Sequence, residues 1–189
     1  MNKKVFDPKK IHILESKERQ SYQNTKEILS LLSLKRDYIV ADLGCGSGVF
    51  TIPLSENVAE VFAIDSEPKM LEFVNQKILK KKISNIKTRL SVNNNIPLND
   101  NMFDLVLTVN TMHEFSDLDK TAKEIKRILK HDGKLCIVDF KKKREGFGPP
   151  QNIRISSRKA KTLFLNHNFE VIKLKFLRFD YFLLLKKQS

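Results

Sequence analysis

Residues 38–48 read YIVADLGCGSG, an apolar run that leads directly into a loop with three glycines. The run Tyr38–Leu43 has the composition of a buried strand. Gly44, Gly46 and Gly48 remove side chains where the backbone must turn tightly, so a ligand can approach the main chain closely. The loop therefore marks a candidate binding site at the end of a strand.

Strand-like and helix-like segments alternate on both sides of this loop. The strands are predicted at Tyr38–Leu43, Val58–Ile64, Ile86–Val92, Phe103–Val109 and Lys134–Phe140, with a terminal hairpin of Phe169–Leu177 and Tyr181–Lys187. The helices are predicted at Ser16–Leu34, Gly48–Ser55, Glu67–Lys81, Asp117–Lys130 and Ser156–Asn166, with 131–133 as a turn. This alternation indicates βαβ units, hence an α/β fold with a mostly parallel sheet that binds ligands beyond the carboxyl ends of its strands.

Length, charge and cysteine content narrow the class of protein. The 189 residues suit one domain, and 35 Lys+Arg against 22 Asp+Glu give a net charge of +13. This charge fits either a lysine-rich solvated surface or binding of nucleic acid or an anionic substrate. Two cysteines without a CxxC motif argue against a disulfide framework and a thiolate zinc site. With no secretory signal and no apolar run long enough to span a bilayer, we expect a cytoplasmic protein.

An acidic residue closes the second predicted strand, at Asp65. A carboxylate there can accept hydrogen bonds from both hydroxyls of a ribose, which indicates a nucleoside cofactor. The glycines read G-x-G-x-G, with Val49 where a dinucleotide fingerprint has its last glycine, so NAD is disfavoured. The sequence has no P-loop motif either.

Residues 40–54 (VADLGCGSGVFTIPL) and 61–74 (VFAIDSEPKMLEFV) resemble the class I methyltransferases that use S-adenosylmethionine. Ser91–Phe115, and less specifically Phe6–Leu34 and Gly146–Ser156, are similar to the small UbiE-like branch of that family. The resemblance implies a Rossmann-like three-layer sandwich with a seven-stranded sheet. It also implies one domain, 1–189, in which 1–36 form a helical lid and 37–189 the catalytic core.

The resemblance assigns the residues around the first two strands to S-adenosylmethionine, namely Asp42, Gly44, Cys45, Gly46, Asp65 and Ser66. Asp65 would hold the ribose hydroxyls, with Ser66 beside it. Asp42 would order the glycine loop or meet the cofactor ammonium through water.

Three further positions are tied to the cofactor by the same resemblance. Asn93 or Asn94, after the third strand, would bind the adenine, although a simple polar turn also explains them. Asn110, after the fourth strand, would touch the cofactor. Tyr22 would reach the methionine end from the lid, unless Ser16–Leu34 is an ordinary surface helix.

His113 is the candidate catalytic residue, because in the family the loop after the fourth strand lies beneath the reactive methyl group. A histidine can orient the acceptor or remove a proton during transfer. A purely structural role in closing the loop explains it equally well. Glu114 is the neighbour that could orient the ring.

The predicted function is methyl transfer from S-adenosylmethionine to a small-molecule acceptor, with no metal. An RNA or protein methyltransferase is the first alternative, but the [DNS]-P-P-[YFW] motif of base-nitrogen methylation is missing after the fourth strand. A non-catalytic cofactor-binding protein is the second. We expect Gly146–Arg154 and the N-terminal helix to wall the acceptor site, and the charge of Lys141–Lys143 and Arg144 favours an anionic acceptor. A monomer is the default state.

Overall fold

A seven-stranded sheet organises the chain in the computed structural model, which describes residues 11–16, 23–92, 95–144 and 146–188. The strands are β1 (Ile39–Leu43), β2 (Glu60–Asp65), β3 (Ile86–Leu90), β4 (Phe103–Val109), β5 (Leu129–Phe140), β6 (Phe169–Phe176) and β7 (Asp180–Lys187). Their spatial order is β3-β2-β1-β4-β5-β7-β6. Strands β1 to β5 pair in parallel, and β7 pairs antiparallel with both β5 and β6. The predicted α/β fold with a C-terminal antiparallel hairpin is confirmed.

The helices are α1 (Ile11–Leu14), α2 (Thr25–Ser30), α3 (Thr51–Ser55), α4 (Pro68–Lys81), α5 (Leu118–Ile128) and α6 (Ser157–Asn166), with a short 3-10 helix at Met112–Glu114. Two of them begin at the caps that the sequence predicts. Asp117 accepts a hydrogen bond from the backbone N–H of Lys120, and Ser156 accepts one from that of Lys159. Both side chains satisfy a donor that the first helical turn leaves free.

Three predicted elements differ from the structure by three residues or more at a boundary. Helix α3 begins at Thr51 rather than Gly48, because Gly48 has a φ of +80°, which is incompatible with a right-handed helix. Strand β5 begins at Leu129, so the expected turn at 131–133 lies inside the strand, and Asp132 takes a φ of +62° where the β4–β5 register shifts. In Ser16–Leu34 the described part is helical only at Thr25–Ser30.

Helices cover both faces of the sheet and bury two apolar clusters against it. On one face, α5 and α6 contribute Ile125 and Phe164 to a cluster with the inward residues of β4, β5 and β7. On the other, α2, α3 and α4 contribute Ile28, Leu54 and Val74. Because a parallel sheet needs apolar cover on each face, the result is the predicted three-layer sandwich.

The strand order places a ligand site between β1 and β4. The chain runs from β1 to β2 on one side and later returns to β4 on the other, so the strand order reverses at β1. Open parallel sheets bind ligands in the crevice at such a reversal, outside the carboxyl ends of the strands. The loops that follow β1, β2, β4 and β5 meet there.

Among the residues that the structure describes, no helix combines the length and the apolar character needed to cross a bilayer.

Candidate active site

A cavity of about 470 Å³ lies at the carboxyl ends of β1, β2, β4 and β5. Its volume falls within the range of small-molecule pockets, about 300–1,000 Å³. Eight of the residues that the sequence predicts for the site line it together, namely Asp42, Gly44, Cys45, Gly46, Asp65, Ser66, Asn110 and His113. Residues at the ends of three separate strands, β1, β2 and β4, therefore converge on one space.

The glycine loop after β1 has a backbone conformation that only glycine adopts easily. Gly44 has a φ of +75°, and a Cβ on it would lie 2.3 Å from Cγ2 of Thr111. The backbone N–H groups of Gly44 and Cys45 both donate to the carbonyl of Ile64, at 2.8 and 3.0 Å. The loop is thereby tied to the end of β2, and its main chain forms the floor of the cavity. Burial raises the pKa of the Cys45 thiol, so the thiol stays protonated.

Asp65, at the end of β2, holds the glycine loop in place. Its Oδ2 accepts a hydrogen bond from the N–H of Gly46 at 2.9 Å, and its Oδ1 accepts one from the N–H of Glu67 at 3.0 Å. Burial raises the pKa of Asp65, while these N–H donors oppose the shift. Each carboxylate oxygen has a second lone pair, so the half-buried side chain can accept further hydrogen bonds from a ligand.

Asp42 is a buried carboxyl group at the inner end of the cavity. It is only 2% exposed, and its Oδ2 accepts a hydrogen bond from the hydroxyl of Thr51 at 2.6 Å. Burial raises the pKa of Asp42 to about 7. The hydrogen bond from Thr51 lowers this pKa, whereas the nearby charge of Asp65 raises it. A buried carboxyl group of this kind favours a cationic ligand, since a nearby positive charge stabilises its ionised form.

Asn110 begins the loop after β4 in the left-handed region, with a φ of +55°, and its N–H donates to the carbonyl of Val138 at 2.8 Å. Its side-chain nitrogen and oxygen are both buried, and neither has a hydrogen-bond partner within the described residues. Buried polar atoms are nearly always hydrogen-bonded. An amide left in this condition at a cavity wall indicates a position prepared for a ligand.

His113 follows on the 3-10 helix and lies beside an aspartate from the next strand. Its side chain is only 7% exposed, and its Nδ1 lies 3.4 Å from Oδ1 of the fully buried Asp139 at the end of β5. Glu114, which the sequence suggests as the orienting group, is farther away, with Oε1 at 3.8 Å from Nε2. Asp139 is therefore the nearer carboxylate and faces the other ring nitrogen, and an orienting role for Glu114 stays a prediction.

The segment after β5 forms the wall of the cavity opposite the glycine loop. Phe140, Gly148, Pro149, Pro150 and Ile153 line it. Gly148 has a φ of +74°, and a Cβ there would lie 2.8 Å from the ring of Phe140, so the backbone packs directly on that ring.

Arg154 fixes the wall from behind. It is 2% exposed, and its guanidinium donates hydrogen bonds to the backbone carbonyls of Pro149, Lys141, Lys143 and Phe147, at 2.7 to 3.2 Å. Its Cζ also lies 5.0 Å from the centre of the Phe140 ring. Arginine suits this position because its planar fork carries five donors.

Replacing Arg154 with methionine is expected to lower the free energy of unfolding by about 3 kcal/mol or more, because several buried carbonyls lose a charged donor at once. Urea unfolding followed by circular dichroism measures the loss. Arg158→Met, at an exposed position on α6, is the matched control and should unfold like the wild type. An Arg154→Met protein with the wild-type urea midpoint would show that the hydrogen bonds of Arg154 do not stabilise this wall.

Some predicted contacts fall outside the described residues. Asn93, Asn94 and Tyr22 belong to this group, and their roles stay predictions. Their described neighbours do reach the cavity, since Ile96 lines it near the third strand and Leu14 lines it from α1. The N–H of Ile96 donates to Glu124, so this part of the wall is fixed to α5.

Sequence reasoning missed Asp139 and Arg154. Asp139 ends the apolar strand that neighbours the fourth one, a position from which an acid can reach the loop carrying His113, so the strand order carried a usable signal. Arg154 carries no such signal, because its partners are backbone carbonyls. Within the described residues, no group of three or more His, Cys, Asp or Glu side chains could hold a metal ion.

Comparison with known proteins identifies the family. The family described as "Methyltransferase domain" matches residues 41–137, about half of the chain. A crystal structure of an S-adenosylmethionine-dependent methyltransferase from Aquifex aeolicus superposes with a TM-score of 0.92 at 28% identity, and covers 97% of this chain and 100% of that one.

Curated relatives are similar over shorter stretches. The uncharacterized methyltransferase YcgJ of Bacillus subtilis is 29% identical over 105 residues, which are 56% of this chain and 42% of YcgJ. A demethylmenaquinone methyltransferase of Tropheryma whipplei is 28% identical over 143 residues, 69% of this chain and 59% of the relative. The chain spans about half the length of the curated relatives that it matches. By its sequence family and its fold, this chain belongs to the class I methyltransferases, which use S-adenosylmethionine.

Proposed function

We propose that this chain transfers a methyl group from S-adenosylmethionine to a small-molecule acceptor. The observation that carries the proposal is the convergence of the glycine loop, the carboxyl groups of Asp42 and Asp65, and His113 on one cavity. The cavity has room for more than one ligand group along its length, from Asp65 at the β2 end to the wall at the β5 end. A small acceptor fits an internal space of this size better than a polymer does.

The residues of the cavity fit the cofactor chemically. S-adenosylmethionine carries a sulfonium and an ammonium, and the inner half of the cavity contains Asp42 and Asp65, both with pKa values raised by burial. Positive charges placed there relieve the cost of ionising these groups. Asn110 offers an unsatisfied donor and acceptor, and Asp65 has lone pairs free for ribose hydroxyls. Gly44, Cys45 and Gly46 would lie along the methionine part, with Ser66 beside the ribose.

The raised pKa of Asp42 predicts that cofactor affinity depends on pH. If S-adenosylmethionine binds the ionised form, binding releases a proton, and affinity rises as the pH approaches the pKa of about 7 from below. We expect a gain of about fivefold between pH 6 and pH 7, below the range in which the cofactor's own amine titrates. Calorimetric titration at both pH values measures it.

Asp42→Asn is the control for this pH dependence, because it keeps an acceptor for Thr51 and removes the titrating proton. The gain should shrink to less than about twofold in that variant. An unchanged gain in Asp42→Asn would mean that another group titrates, and the proposed role of Asp42 would have to be abandoned.

The sulfonium of the bound cofactor supplies an activated methyl group. The chain must then align the acceptor and exclude water, and such positioning contributes about 7–11 kcal/mol in favourable cases. His113 would take the proton of the acceptor through Nε2, with Asp139 orienting the ring through Nδ1. A histidine held by a carboxylate in this way keeps one nitrogen free to accept a proton.

The test is a transfer assay with S-adenosylmethionine labelled in its methyl group. Extracted small metabolites, bulk RNA and bulk protein serve as three separate acceptor pools, and label in the small-molecule pool supports the proposal. Label in RNA, with an affinity that falls steeply with salt, would favour the nucleic-acid alternative based on the +13 charge. Tight cofactor binding with no label in any pool would favour a non-catalytic cofactor-binding protein.

The location and the oligomeric state of the protein are also proposed. Cys45 and Cys136 are unpaired and buried, which fits a reducing, cytoplasmic location. A monomer is the simplest state for a chain whose site is built from its own residues. Gel filtration with light scattering tests the oligomeric state.

A further inference from the structure

The segment that follows β3 forms one end of the cavity. Ile96, in this segment, lines the cavity and is 3% exposed. We call residues 96–100 the β3 wall. The sheet order β3-β2-β1 puts the end of β3 on the far side of Asp65 from the glycine loop. If the glycine loop contacts the methionine part of the cofactor and Asp65 contacts the ribose, the base lies at the β3 wall.

Two side chains of α5, Glu124 and Arg127, bind the main chain of the β3 wall. Oε2 of Glu124 accepts a hydrogen bond from the N–H of Ile96 at 3.0 Å, and Nη2 of Arg127 donates to the carbonyl of Ile96 at 2.9 Å. Nη1 of Arg127 donates to the carbonyl of Leu98 at 2.8 Å and to Oδ1 of Asp100 at 2.6 Å. A single pair of side chains therefore holds three residues of this loop.

Glu124 and Arg127 are also bound to each other. Nε of Arg127 donates to Oε1 of Glu124, and Nη2 donates to Oε2, both at 2.8 Å. Residues three apart lie on the same face of a helix, and a charged pair with two parallel hydrogen bonds is strong and geometrically specific. The hydrogen bond from Arg127 lowers the pKa of Glu124, so the carboxylate stays ionised at neutral pH. We call these two residues the α5 clamp.

The chain is also fixed before and after the contacts of the α5 clamp. Before them, Ser91 lines the cavity, and its N–H donates to the carbonyl of Asp65 at 2.9 Å. After them, the N–H of Asn101 donates to the carbonyl of Arg127 at 3.0 Å. The side chain of Ile96 is packed in the apolar cluster on the α5 side of the sheet. The position of Ile96 relative to Asp65 therefore depends on α5.

The α5 clamp stands outside the cavity. Neither Glu124 nor Arg127 lines it, and their side chains are 20% and 29% exposed. The clamp can therefore act on a ligand only through the β3 wall. A loop at the surface can satisfy its carbonyls with water, so a charged clamp in place of water gives the loop a fixed position as well as satisfied backbone groups.

We propose that Glu124 and Arg127 are positioning residues for the cofactor. They hold the β3 wall at the distance from Asp65 that the adenine of S-adenosylmethionine requires, and they thereby set the affinity for the cofactor and the preference for adenine over other bases. The inference rests on the proposed methyl transfer and deepens its cofactor site. A wall that moves by about 1 Å loses hydrogen bonds and packing contacts to a bound ring, because both depend steeply on distance.

Arg127→Met tests the effect of the clamp on affinity. Calorimetric titration with S-adenosylhomocysteine should show about a tenfold loss relative to the wild type, within the range that residues without ligand contact contribute to a site. Lys123→Met removes a cation at an exposed position of the same helix and is the matched control, which should bind like the wild type. Wild-type affinity in Arg127→Met, or an equal loss in the control, would overturn the inference.

The preference for adenine separates positioning from a general loss of stability. S-inosylhomocysteine has a carbonyl oxygen where adenine has its amine, and it should bind the wild type at least about tenfold more weakly than S-adenosylhomocysteine. A smaller folded fraction lowers both affinities by the same factor and leaves their ratio unchanged. A displaced β3 wall should reduce the ratio at least about threefold in Arg127→Met. An unchanged ratio in that variant, or a wild-type ratio near one, would contradict the proposed positioning.

Glu124→Ala, alone and combined with Arg127→Met, tests whether the two residues act as a unit. Glu124→Ala removes the acceptor for Ile96 and leaves Arg127 without its partner, so it should lose about as much affinity as Arg127→Met. The double variant should lose little more than either single variant, because the effects of residues in one network are not additive. Losses that add fully would show that the two residues do not act together, against the inference.

Arg127→Lys keeps the proposal testable where Arg127→Met does not fold. Lysine keeps the charge but lacks the planar fork, so it cannot bind Glu124, Ile96 and Leu98 at the same time. A folded Arg127→Lys protein should show an intermediate loss of both affinity and preference for adenine. Wild-type values of both in that protein would refute the positioning role.

The titration of the wild type separates the two levels of the argument. A wild-type protein that does not bind S-adenosylhomocysteine contradicts the proposed function, and this inference fails with it. A wild type that binds it, together with an Arg127→Met protein of the same affinity and preference, contradicts only the inference about the α5 clamp.

Discussion

Replacing Asp65 with alanine is expected to lower the affinity for S-adenosylmethionine at least about 100-fold. A carboxylate that accepts hydrogen bonds from ligand hydroxyls contributes about 1.5–3 kcal/mol per bond, and two such bonds correspond to this loss. The same carboxylate accepts the N–H of Gly46, so its removal also loosens the glycine loop. Calorimetric titration of both proteins with the cofactor measures the difference.

Two variants separate the ligand contact from the general effect of charge. Asp37→Ala removes an acid at an exposed position before β1 and should bind the cofactor like the wild type. Asp65→Asn keeps one carbonyl oxygen for Gly46 and should bind with intermediate affinity. If Asp65→Ala folds normally and binds within about threefold of the wild type, Asp65 is not a ligand of the cofactor.

Replacing His113 with alanine is expected to lower turnover by about 10²–10⁴-fold, the usual contribution of a general base. Cofactor affinity should stay near that of the wild type, because His113 lies at the β4–β5 end of the cavity, away from Asp65. The measurement is a labelled-methyl assay with the acceptor found in the pool experiment, together with a cofactor titration. His131→Ala, at an exposed position in β5, is the matched control.

The dependence of the rate on pH separates catalysis from structure. A general base produces a fall in rate on the acid side, and this limb should disappear from the residual activity of His113→Ala. In Asp139→Asn the limb should persist while turnover falls, because Asp139 acts through the imidazole at 3.4 Å. A wild-type rate in His113→Ala would rule out the proton-transfer role, and wild-type turnover in Asp139→Asn would rule out the positioning role.

Much of the fold could be predicted from local patterns. Strand β4 lies at Phe103–Val109 as predicted, and the caps Asp117 and Ser156 start α5 and α6. The departures occur where tertiary contacts override local signals. Asp132 and Gly133 read as a turn, yet they lie inside β5, because the strand is paired with β4 on both sides of them, at Leu129 and at Lys134, where the register shifts.

The candidate site could likewise be predicted from the sequence only in part. Asp42, Gly44, Asp65 and His113 could be predicted to converge because they follow strands of one parallel sheet, and all of them line the cavity. Asp139 was not predicted beside His113 because it belongs to a different strand, β5, far from His113 along the chain. The partners of Lys141 and Arg154 were also beyond the sequence, since both side chains donate to backbone carbonyls.

The most direct test of the account is a calorimetric titration of the wild-type chain with S-adenosylmethionine and with S-adenosylhomocysteine. We predict saturable binding of both, with one ligand for each chain, in the cavity formed by the glycine loop and Asp65. Failure of the folded chain to bind either ligand would contradict the proposed cofactor site and, with it, the proposed methyl transfer.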